Sequence, residues 1–285
     1  KEQGSNFVAG KGKYFVVEAC EYKKSFLEIN PKIIVITNID NDHLDYYGNL
    51  ENIKKAFSEF VAKLDKDGFL ICDSGDENLK ETIKTTKAKI IDYAKIDTDF
   101  DLKIPGEHNI KNAKAAMSVA KILDIDEKEA IKSLNDFSGT WRRFEYKGKT
   151  KNDVLIYDDY GHHPTEIKAT LKGAREFFGG KKIWCVFQPH LYSRTKLLLE
   201  DFGKSFSDAD EIILADIYAA REPKDESINS KILADEITKN GGKAIYMESF
   251  DKIAKLLAEK AEKGDVVITM GAGDIYKVGE NLLKN

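Results

Sequence analysis

The sequence is poor in the features that mark several large classes of protein. No apolar run approaches the ~18 residues that would span a bilayer, and the N-terminus KEQGSNF has no signal-peptide pattern. The three cysteines, Cys20, Cys72 and Cys185, form no CxxC pair, which argues against a disulfide framework and a zinc knuckle. These absences predict a soluble, reduced protein of the cytoplasm.

An excess of charge of one sign is also lacking. The 45 basic and 49 acidic residues are well mixed and leave a formal net charge of −4. This balance gives no electrostatic case for binding nucleic acid or a membrane surface. With 285 residues, 42% of them hydrophobic, the chain is long enough for about two domains of ~100–200 residues each.

Short apolar runs alternate with segments of helical period throughout the second half of the chain. The run VLIYD, for example, precedes the helix-like segment PTEIKATLKGAREFF. Five such units in succession predict a parallel sheet with right-handed crossovers and helices on both faces. The predicted strands cover 154–158, 182–187, 211–216, 243–247 and 265–270.

The first half is also predicted to be α/β, but its pattern is less regular. Apolar and periodic runs indicate strands over 13–20, 32–39 and 68–73, and helices over 50–64, 111–125 and 127–137. Asp126 is a suitable N-cap for the last of these helices. The Ser-Gly-Thr break in FSGTWRRFE predicts a domain junction near residue 138.

All five histidines fall in small polar clusters beside an apolar run or at a predicted helix start. In an open α/β sheet, ligands bind in the crevice beyond the carboxyl ends of the strands. Histidine is also the side chain best suited to metal ligation or proton transfer near neutral pH. The placement therefore predicts a site that involves His43, His108, His162, His163 and His190.

Glu18 ends the first predicted strand, and His43 follows the next strand along the chain. Parallel neighbours would bring both side chains to the same end of the sheet, beside Asp40, Asp42 and Asp45. A carboxylate and an imidazole in such surroundings could hold a divalent cation shared with substrate phosphates. Alternatively, the acids are solvated loop residues and His43 caps a helix.

Polar residues also open the Ala-rich helix and mark the junction. His108, Asn109 and Asn112 start that helix, where exposed N–H groups attract anions and Asn side chains can recognise a nucleobase edge. Taken by itself, Asn109 is more simply an N-cap. The fork-shaped donors of Arg142 and Arg143 could clamp a phosphate, or they could form an ordinary interdomain salt bridge.

Two denser clusters follow strands of the second half. The segment YDDYGHHP places two acids and two imidazoles within six residues, which favours a function over packing. The QPH motif at 188–190, with Arg194 at the start of the next helix, has the same position after a strand. A proline-shaped turn followed by a solvated arginine is the alternative for this second cluster.

Eight phrases, in order along the chain, resemble those of one family, the ATP-dependent Mur ligases of peptidoglycan synthesis. They are EACEYKKSF, TNIDNDHLDYYG, PGEHNIKNA, GTWRRFE, DDYGHHPTEI, FQPHLYSRT, DIYAAREP and MGAGDI. The resemblance runs from about Gly12 to the C-terminus. It implies an α/β protein with a UDP-binding, an ATP-binding and an amino-acid-binding domain.

The UDP-binding domain and the GTxGKT phosphate loop of the family are absent from this sequence. Residues 1–138 resemble the later part of the central ATPase domain, and residues 139–285 resemble a complete Rossmann-like C-terminal domain. We therefore expect the chain to be part of a longer ligase. Without the backbone N–H cradle of a phosphate loop, we expect weak or undetectable Mg-ATP binding and no ligation by this chain alone.

The resemblance also implies a role for each site residue. The Mg²⁺ ligands would be Glu18 and His43. The residues facing the adenine and ribose would be His108, Asn109 and Asn112, and those closing over the nucleotide would be Arg143 and Asp159. The cleft where the amino acid meets the γ-phosphate would be lined by His162, His190 and Arg194. Leu191 stands where some members carry Arg, so Arg194 is the alternative ligand for the amino-acid carboxylate.

The implied reaction joins L-alanine to the lactyl carboxylate of UDP-N-acetylmuramate through an acyl phosphate, with ATP and Mg²⁺. His190 or His162 could accept the proton of the incoming amine, and domain closure between residues 138 and 145 would bring both halves together. Two alternatives remain at this point. One is the family member that attaches a tripeptide to the same sugar nucleotide, and the other is a non-enzymatic nucleotide-binding fragment.

Overall fold

A computed structural model describes residues 7–284 of the chain. It divides into two compact units. The first unit comprises Lys1–Lys103 and His108–Phe137, and the second comprises Ile104–Glu107 and Ser138–Asn285. Residues 1–6 and 285, the outermost parts of the two predicted domains, lie outside the described residues. The assignment of ATP binding to one domain and amino-acid binding to the other stays a prediction.

The first unit is built on a small parallel sheet. Its strands are β1 (Ile33–Val35), β2 (Phe69–Cys72) and β3 (Lys89–Asp92), in the order β1-β2-β3. Its helices are α1 (Leu44–Tyr47), α2 (Leu50–Val61), α3 (Lys80–Ile83), α4 (Glu107–Ile122) and α5 (Glu127–Asp136), with 3-10 helices at Tyr22–Glu28 and Tyr93–Lys95. The predicted mixture of strands and helices is confirmed.

Local sequence signals account for the helices of this unit. Helix α2 begins after Asn49, whose side chain accepts the N–H of Asn52, and it buries Ile53 and Phe60 against the sheet. Asp126 caps α5 by accepting the N–H of Glu129 at 3.0 Å, so the predicted cap is confirmed. A side-chain oxygen at this position satisfies one of the backbone donors that the first helical turn leaves unpaired.

The strand predicted over residues 13–20 is wrong. Residues 14–20 have no regular structure, and the side chains of Phe15 and Val16 are 71% and 88% exposed. Aromatic and β-branched residues favour extended backbone, but a strand also needs a neighbour to complete its hydrogen bonds. Within the described residues β1 pairs with β2 alone, and no ladder includes the 13–20 segment.

The second unit contains a six-stranded sheet. Its strands are β4 (Glu145–Lys149), β5 (Leu155–Asp159), β6 (Ile183–Phe187), β7 (Glu211–Leu214), β8 (Ala244–Tyr246) and β9 (Val266–Met270). Their order is β4-β5-β9-β6-β7-β8, and only β4 is antiparallel to its neighbour. All five predicted strands are confirmed, while β4 was not predicted.

Helices cover both faces of this sheet, as predicted. They are α6 (Pro164–Phe178), α7 (Tyr192–Leu197), α8 (Leu199–Gly203), α9 (Ser230–Lys239), α10 (Phe250–Lys260) and α11 (Tyr276–Lys284). On one face, Ile253 of α10 and Val278 of α11 belong to the same core as Val186 of β6. The next strand residue, Phe187, points to the other face and meets the ring of Phe202 in α8 at 5.8 Å.

Among the residues that the structure describes, no helix combines the length and the apolar character that a membrane crossing requires.

Candidate active-site residues in the two units

The candidate site of the second unit lies where its parallel strands end. Asp159 is the last residue of β5, and Met270, the last residue of β9, lies opposite both Asp159 and Phe187 at the end of β6. The carboxyl ends of these strands therefore form one edge. The rings of His162 and His190, from the loops after β5 and β6, lie 5.5 Å apart at this edge.

A buried ion pair holds the edge together. Nε of Arg142 donates to Oδ2 of Asp158 at 2.6 Å, and both side chains are almost fully buried. The other guanidinium nitrogens donate to the carbonyl oxygens of Gly271 (2.7 Å) and Gly273 (3.0 Å). Thr269 donates to Oδ1 of Asp158 at 2.6 Å. The pair lies inside one unit, so it is not an interdomain bridge. Arg142 is buried and each guanidinium nitrogen already has an acceptor in this unit, so it does not offer the exposed fork of a phosphate clamp, and both interpretations of it are wrong.

The neighbouring Arg143 has a different environment. Its side chain is half-exposed, and Nη1 donates to Oε1 of Glu166 at 3.3 Å. The guanidinium also lies 5.8 Å from the ring centre of Tyr160. A half-exposed cation tethered by one carboxylate can still reach a phosphate, so its predicted nucleotide contact stays a prediction.

Asp159 is buried and fully engaged with backbone. Its carboxylate accepts the N–H groups of Phe144 at 2.8 Å and Gly161 at 2.7 Å. Burial raises the pKa of Asp159 above its ordinary value, although both N–H groups and Arg143 act in the opposite direction. A Cβ atom at Gly161 would lie 2.7 Å from this carboxylate. Asp159 therefore shapes the loop that carries His162.

His162 is held at one ring nitrogen. Its Nδ1 lies 2.9 Å from the carbonyl oxygen of Tyr160 and 3.5 Å from Oε2 of Glu166. The same Oε2 accepts the backbone N–H groups of His162 (2.9 Å) and His163 (3.1 Å). Burial alone would raise the pKa of Glu166. The neighbouring His162 ring, these N–H groups and Arg143 outweigh burial, so the pKa of Glu166 lies below its ordinary value.

His163 has a structural position at the start of α6. It is the N-cap, its Nδ1 accepts the N–H of Thr165 at 3.3 Å, and Glu166 completes a capping box. Pro164 occupies the first turn, where a missing N–H costs no hydrogen bond. His163 therefore starts the helix, whereas the adjacent His162 lies at the strand-end edge.

His190 packs between elements of the same edge. Its Nδ1 lies 3.2 Å from Nη1 of Arg194, and its ring stacks on Tyr218 at 5.7 Å. Burial and the neighbouring positive charges lower the pKa of His190 to about 4. His190 is therefore neutral near pH 7.

Leu191 adopts a backbone angle that few leucines take. Its φ is +71°, and its side chain is buried. Left-handed backbone is unfavourable for a residue with a Cβ, so surrounding contacts must sustain it. The Leu191 N–H donates to Tyr218 and the Tyr218 N–H donates to Pro189, at 2.9 and 2.8 Å. These bonds join the QPH and DIY phrases and place Tyr218 against His190.

In the first unit, His43 meets two acids. Its Nε2 lies 3.3 Å from Oε1 of Glu21 and 3.8 Å from Oδ2 of Asp42, and the three ligand atoms lie within 4.8 Å of one another. The hydrogen bond with His43 lowers the pKa of Glu21 despite burial. His43 is at the N-cap position of α1 but makes no side-chain cap bond. Two carboxylates and an imidazole are a donor set that fits a divalent cation.

Glu18 is not a member of this group. It lies in the exposed segment without regular structure, three residues before Glu21. Its role as a metal ligand stays a prediction. Glu21 is the acid that sequence reasoning missed, although it stands in the same EACE phrase.

His108, Asn109 and Asn112 lie in the first two turns of α4, which begins at Glu107. Asn109 is therefore inside the helix and is not its N-cap. Residues three and four positions apart are neighbours on a helix surface, so Asn112 is adjacent to both of the others. Their contact with a nucleotide stays a prediction.

Glu166 is the second functional candidate that sequence reasoning missed. The sequence pattern that could have indicated it is the capping box, in which a glutamate stands three residues after the N-cap, here His163. A capping glutamate is ordinarily structural, and only the three-dimensional structure shows that the same carboxylate also faces the His162 ring.

Two family models match the chain. "Mur ligase middle domain" matches residues 3–99, and "Mur ligase, glutamate ligase domain" matches residues 142–273. A UDP-N-acetylmuramate–L-alanine ligase of Caldanaerobacter subterraneus subsp. tengcongensis is 43% identical over 309 residues, covering 99% of this chain and 67% of that protein. The chain belongs to the Mur ligase family.

Other relatives of this Mur ligase chain agree with the match. The protein of the same name from Clostridium botulinum (strain Okra / Type B1) is 45% identical over 302 residues, and the match covers 96% of this chain and 66% of the relative. The crystal structure of the UDP-N-acetylmuramate-alanine ligase MurC from Thermotoga maritima superposes with a TM-score of 0.70 at 25% identity, covering 92% and 61% of the two chains. The chain thus spans about two thirds of the length of the curated relatives it matches.

Replacement of Arg142 should destabilise the second unit far more than replacement of Arg143. In Arg142→Met the buried Asp158 loses its counter-charge, and we expect the free energy of unfolding to fall by about 3–5 kcal/mol. Arg143→Met removes a half-exposed pair and should change it by less than ~1 kcal/mol. Both tryptophans, Trp141 and Trp184, belong to the second unit, so urea unfolding followed by tryptophan fluorescence measures this unit. Equal losses in the two variants would contradict the assignment.

Proposed function

We propose that the chain is part of an ATP-dependent ligase that joins L-alanine to the lactyl carboxylate of UDP-N-acetylmuramate. The observation that carries the proposal is the 43–45% identity, over 96–99% of the chain, to relatives named UDP-N-acetylmuramate–L-alanine ligase. The cytoplasm is the proposed location, and the three free thiols fit a reducing compartment.

The proposed reaction overcomes the poor reactivity of a carboxylate. ATP would transfer its γ-phosphoryl group to the lactyl carboxylate, with Mg²⁺ offsetting the charge on the phosphoryl oxygens. The alanine nitrogen would then attack the acyl carbon of this acyl phosphate. The new C–N bond forms, the C–O bond to phosphate breaks, and inorganic phosphate leaves with the bonding electrons.

The residues of the second unit support distinct parts of this chemistry. Arg143 keeps an exposed guanidinium that can approach a phosphate, whereas buried Asp159 is proposed to act on the nucleotide only through the loop it holds. His162 and His190 stand together at the strand-end edge and are the proposed proton-handling groups. Arg194 contacts His190 and is largely buried, which favours a role in holding that ring.

The residues of the first unit are proposed to serve the nucleotide and its cation. His43, with a carboxylate partner, would hold Mg²⁺, because the described donor atoms are close enough to share one cation. His108, Asn109 and Asn112, exposed or half-buried at the start of α4, would contact the adenine and ribose. Two acids are candidates for this carboxylate partner of His43. The family resemblance implies Glu18, whereas the geometry favours Glu21.

Amino-acid selectivity tests the proposed function directly. The full-length gene product that contains this sequence should release phosphate from ATP when UDP-N-acetylmuramate and L-alanine are both present. Replacing alanine with L-alanyl-D-glutamyl-diaminopimelate should abolish turnover. Preferential turnover with the tripeptide would contradict the proposal.

The 285-residue chain alone, without a GTxGKT loop, should show no ligation and weak or undetectable Mg-ATP binding. Micromolar Mg-ATP affinity by calorimetry would contradict that expectation.

Cation binding by the first unit distinguishes the two candidate acids. We expect Mn²⁺, a stand-in for Mg²⁺, to bind the 285-residue chain more weakly after Glu21→Gln, because Glu21 already lies 3.3 Å from His43. Glu18→Gln, a matched change three residues earlier, should leave the affinity unchanged. Electron paramagnetic resonance of free Mn²⁺ measures both variants. The reverse order would make Glu18 the ligand, as the family resemblance implies.

A further inference from the structure

Two histidine rings at the strand-end edge are held by partners of opposite hydrogen-bonding character. The partner of His162 Nδ1 is the carbonyl oxygen of Tyr160 at 2.9 Å, with Oε2 of Glu166 at 3.5 Å. Both are acceptors only. Nδ1 of His162 must therefore carry a proton, and in the neutral ring the lone pair is on Nε2.

The partner of His190 Nδ1 imposes the opposite tautomer. Nη1 of Arg194 lies 3.2 Å away, and a guanidinium donates hydrogen bonds but accepts none. Nδ1 of His190 is therefore the acceptor, and the proton of the neutral ring is on Nε2. The two rings, 5.5 Å apart, thus offer a proton acceptor and a proton donor at the same edge.

The carboxylate of Glu166 completes the arrangement around His162. It is fixed by the backbone N–H groups of His162 and His163, so it cannot easily turn away from the ring. An anion on the Nδ1 side stabilises the imidazolium that forms when Nε2 takes a proton, as in other carboxylate–histidine pairs. Glu166 accordingly acts through His162 as a positioning residue.

We propose that Nε2 of His162 takes the proton of the incoming ammonium group, that Glu166 positions His162 for this step, and that His190, locked by Arg194, donates a hydrogen bond from Nε2. This assignment rests on the proposed ligase function. In the step itself one proton moves from the ammonium nitrogen to His162 Nε2, leaving a neutral amine and an imidazolium. The N–H of His190 is then free to donate to the oxygen on which negative charge develops at the acyl carbon.

The charges around His190 agree with a donor role at neutral pH. The rings of His162 and Tyr218 contact His190, and Arg194 from α7 lies at its Nδ1. Arg221 and Glu222, from the loop after β7, act on it through their charges. Burial is the largest influence, the charges of Arg194 and Arg221 and any charge on His162 also disfavour a charged ring, and Glu222 opposes them. A ring that stays neutral is a poor proton acceptor but a competent N–H donor.

Nuclear magnetic resonance tests the tautomers without any enzyme activity. Long-range ¹H–¹⁵N spectra of the 285-residue chain at about pH 8.5, well above the ordinary histidine pKa of about 6.5, should show a pyridine-type Nε2 in His162. His190 should show a pyridine-type Nδ1. His162→Gln and His190→Gln assign the signals.

Arg194→Met should allow His190 to adopt either tautomer, because the donor at its Nδ1 is removed. Lys196→Met, on the same helix, should leave the His190 tautomer unchanged. The same tautomer in both rings would overturn the proposal.

The pH dependence of kcat tests the chemical roles in the full-length ligase. His162→Gln should lower kcat by about 10²-fold or more and remove the acid limb of the pH profile. Glu166→Gln keeps an oxygen to cap α6 but removes the negative charge, so it should move that limb to lower pH. His190→Gln should lower kcat and leave the limb in place. A limb lost in His190→Gln and kept in His162→Gln would overturn the proposal.

The amino-acid selectivity of the full-length ligase and the tautomers measured in the 285-residue chain separate this proposal from the proposed function. If the ligase adds the tripeptide and not alanine, the substrate assignment fails, while the tautomers of the two rings are still measured in the chain. If alanine is added but the tautomers coincide, the function stands and the division of roles fails.

Discussion

The buried pair of Arg142 and Asp158 is the interaction on which the strand-end edge of the second unit depends. Removing two charges from water is costly, and the attraction between them offsets this only when every remaining donor is satisfied. Here each guanidinium nitrogen has an acceptor: Asp158 for Nε, the carbonyl oxygen of Gly273 for Nη1 and that of Gly271 for Nη2. Arg142 also holds a φ of +54°, an unfavourable angle that these bonds sustain. Three distant segments of chain are thereby joined at one point.

Glu166 links this scaffold to chemistry. One oxygen of its carboxylate accepts two backbone N–H groups at the start of α6 and also faces the His162 ring, while the other meets Arg143. The helix therefore begins correctly only when the carboxylate lies where an imidazolium would need it. The capping role and the proposed positioning role use the same geometry, which explains how a single side chain can serve both folding and proton transfer.

Much of this fold follows from sequence patterns, and the exceptions have physical reasons. Strands β6, β7 and β9 of the second unit are continuous apolar runs because helices bury both faces. Strand β4 (EYKGK) is a mostly polar edge strand and gives no such signal. Residues 13–20 have strand propensity but, in the part of the chain that the structure describes, no partner strand. Arg142 and Arg143 are adjacent and identical, so no pattern could indicate that one is buried with Asp158 and the other is half-exposed. The histidine clusters were visible, whereas the ring tautomers depend on neighbours distant in sequence.

Arg142 holds the loops that present His162 and His190 at the strand-end edge. Amide hydrogen exchange of the 285-residue chain tests this directly in Arg142→Lys, which keeps the charge but cannot form the three-way fork. The amides of Tyr160 and Gly271, which donate to Arg142 and Asp159, should exchange faster than in the unmodified chain. Amides in the middle of β9 should keep their protection. Unchanged exchange at Tyr160 and Gly271 would contradict the claim.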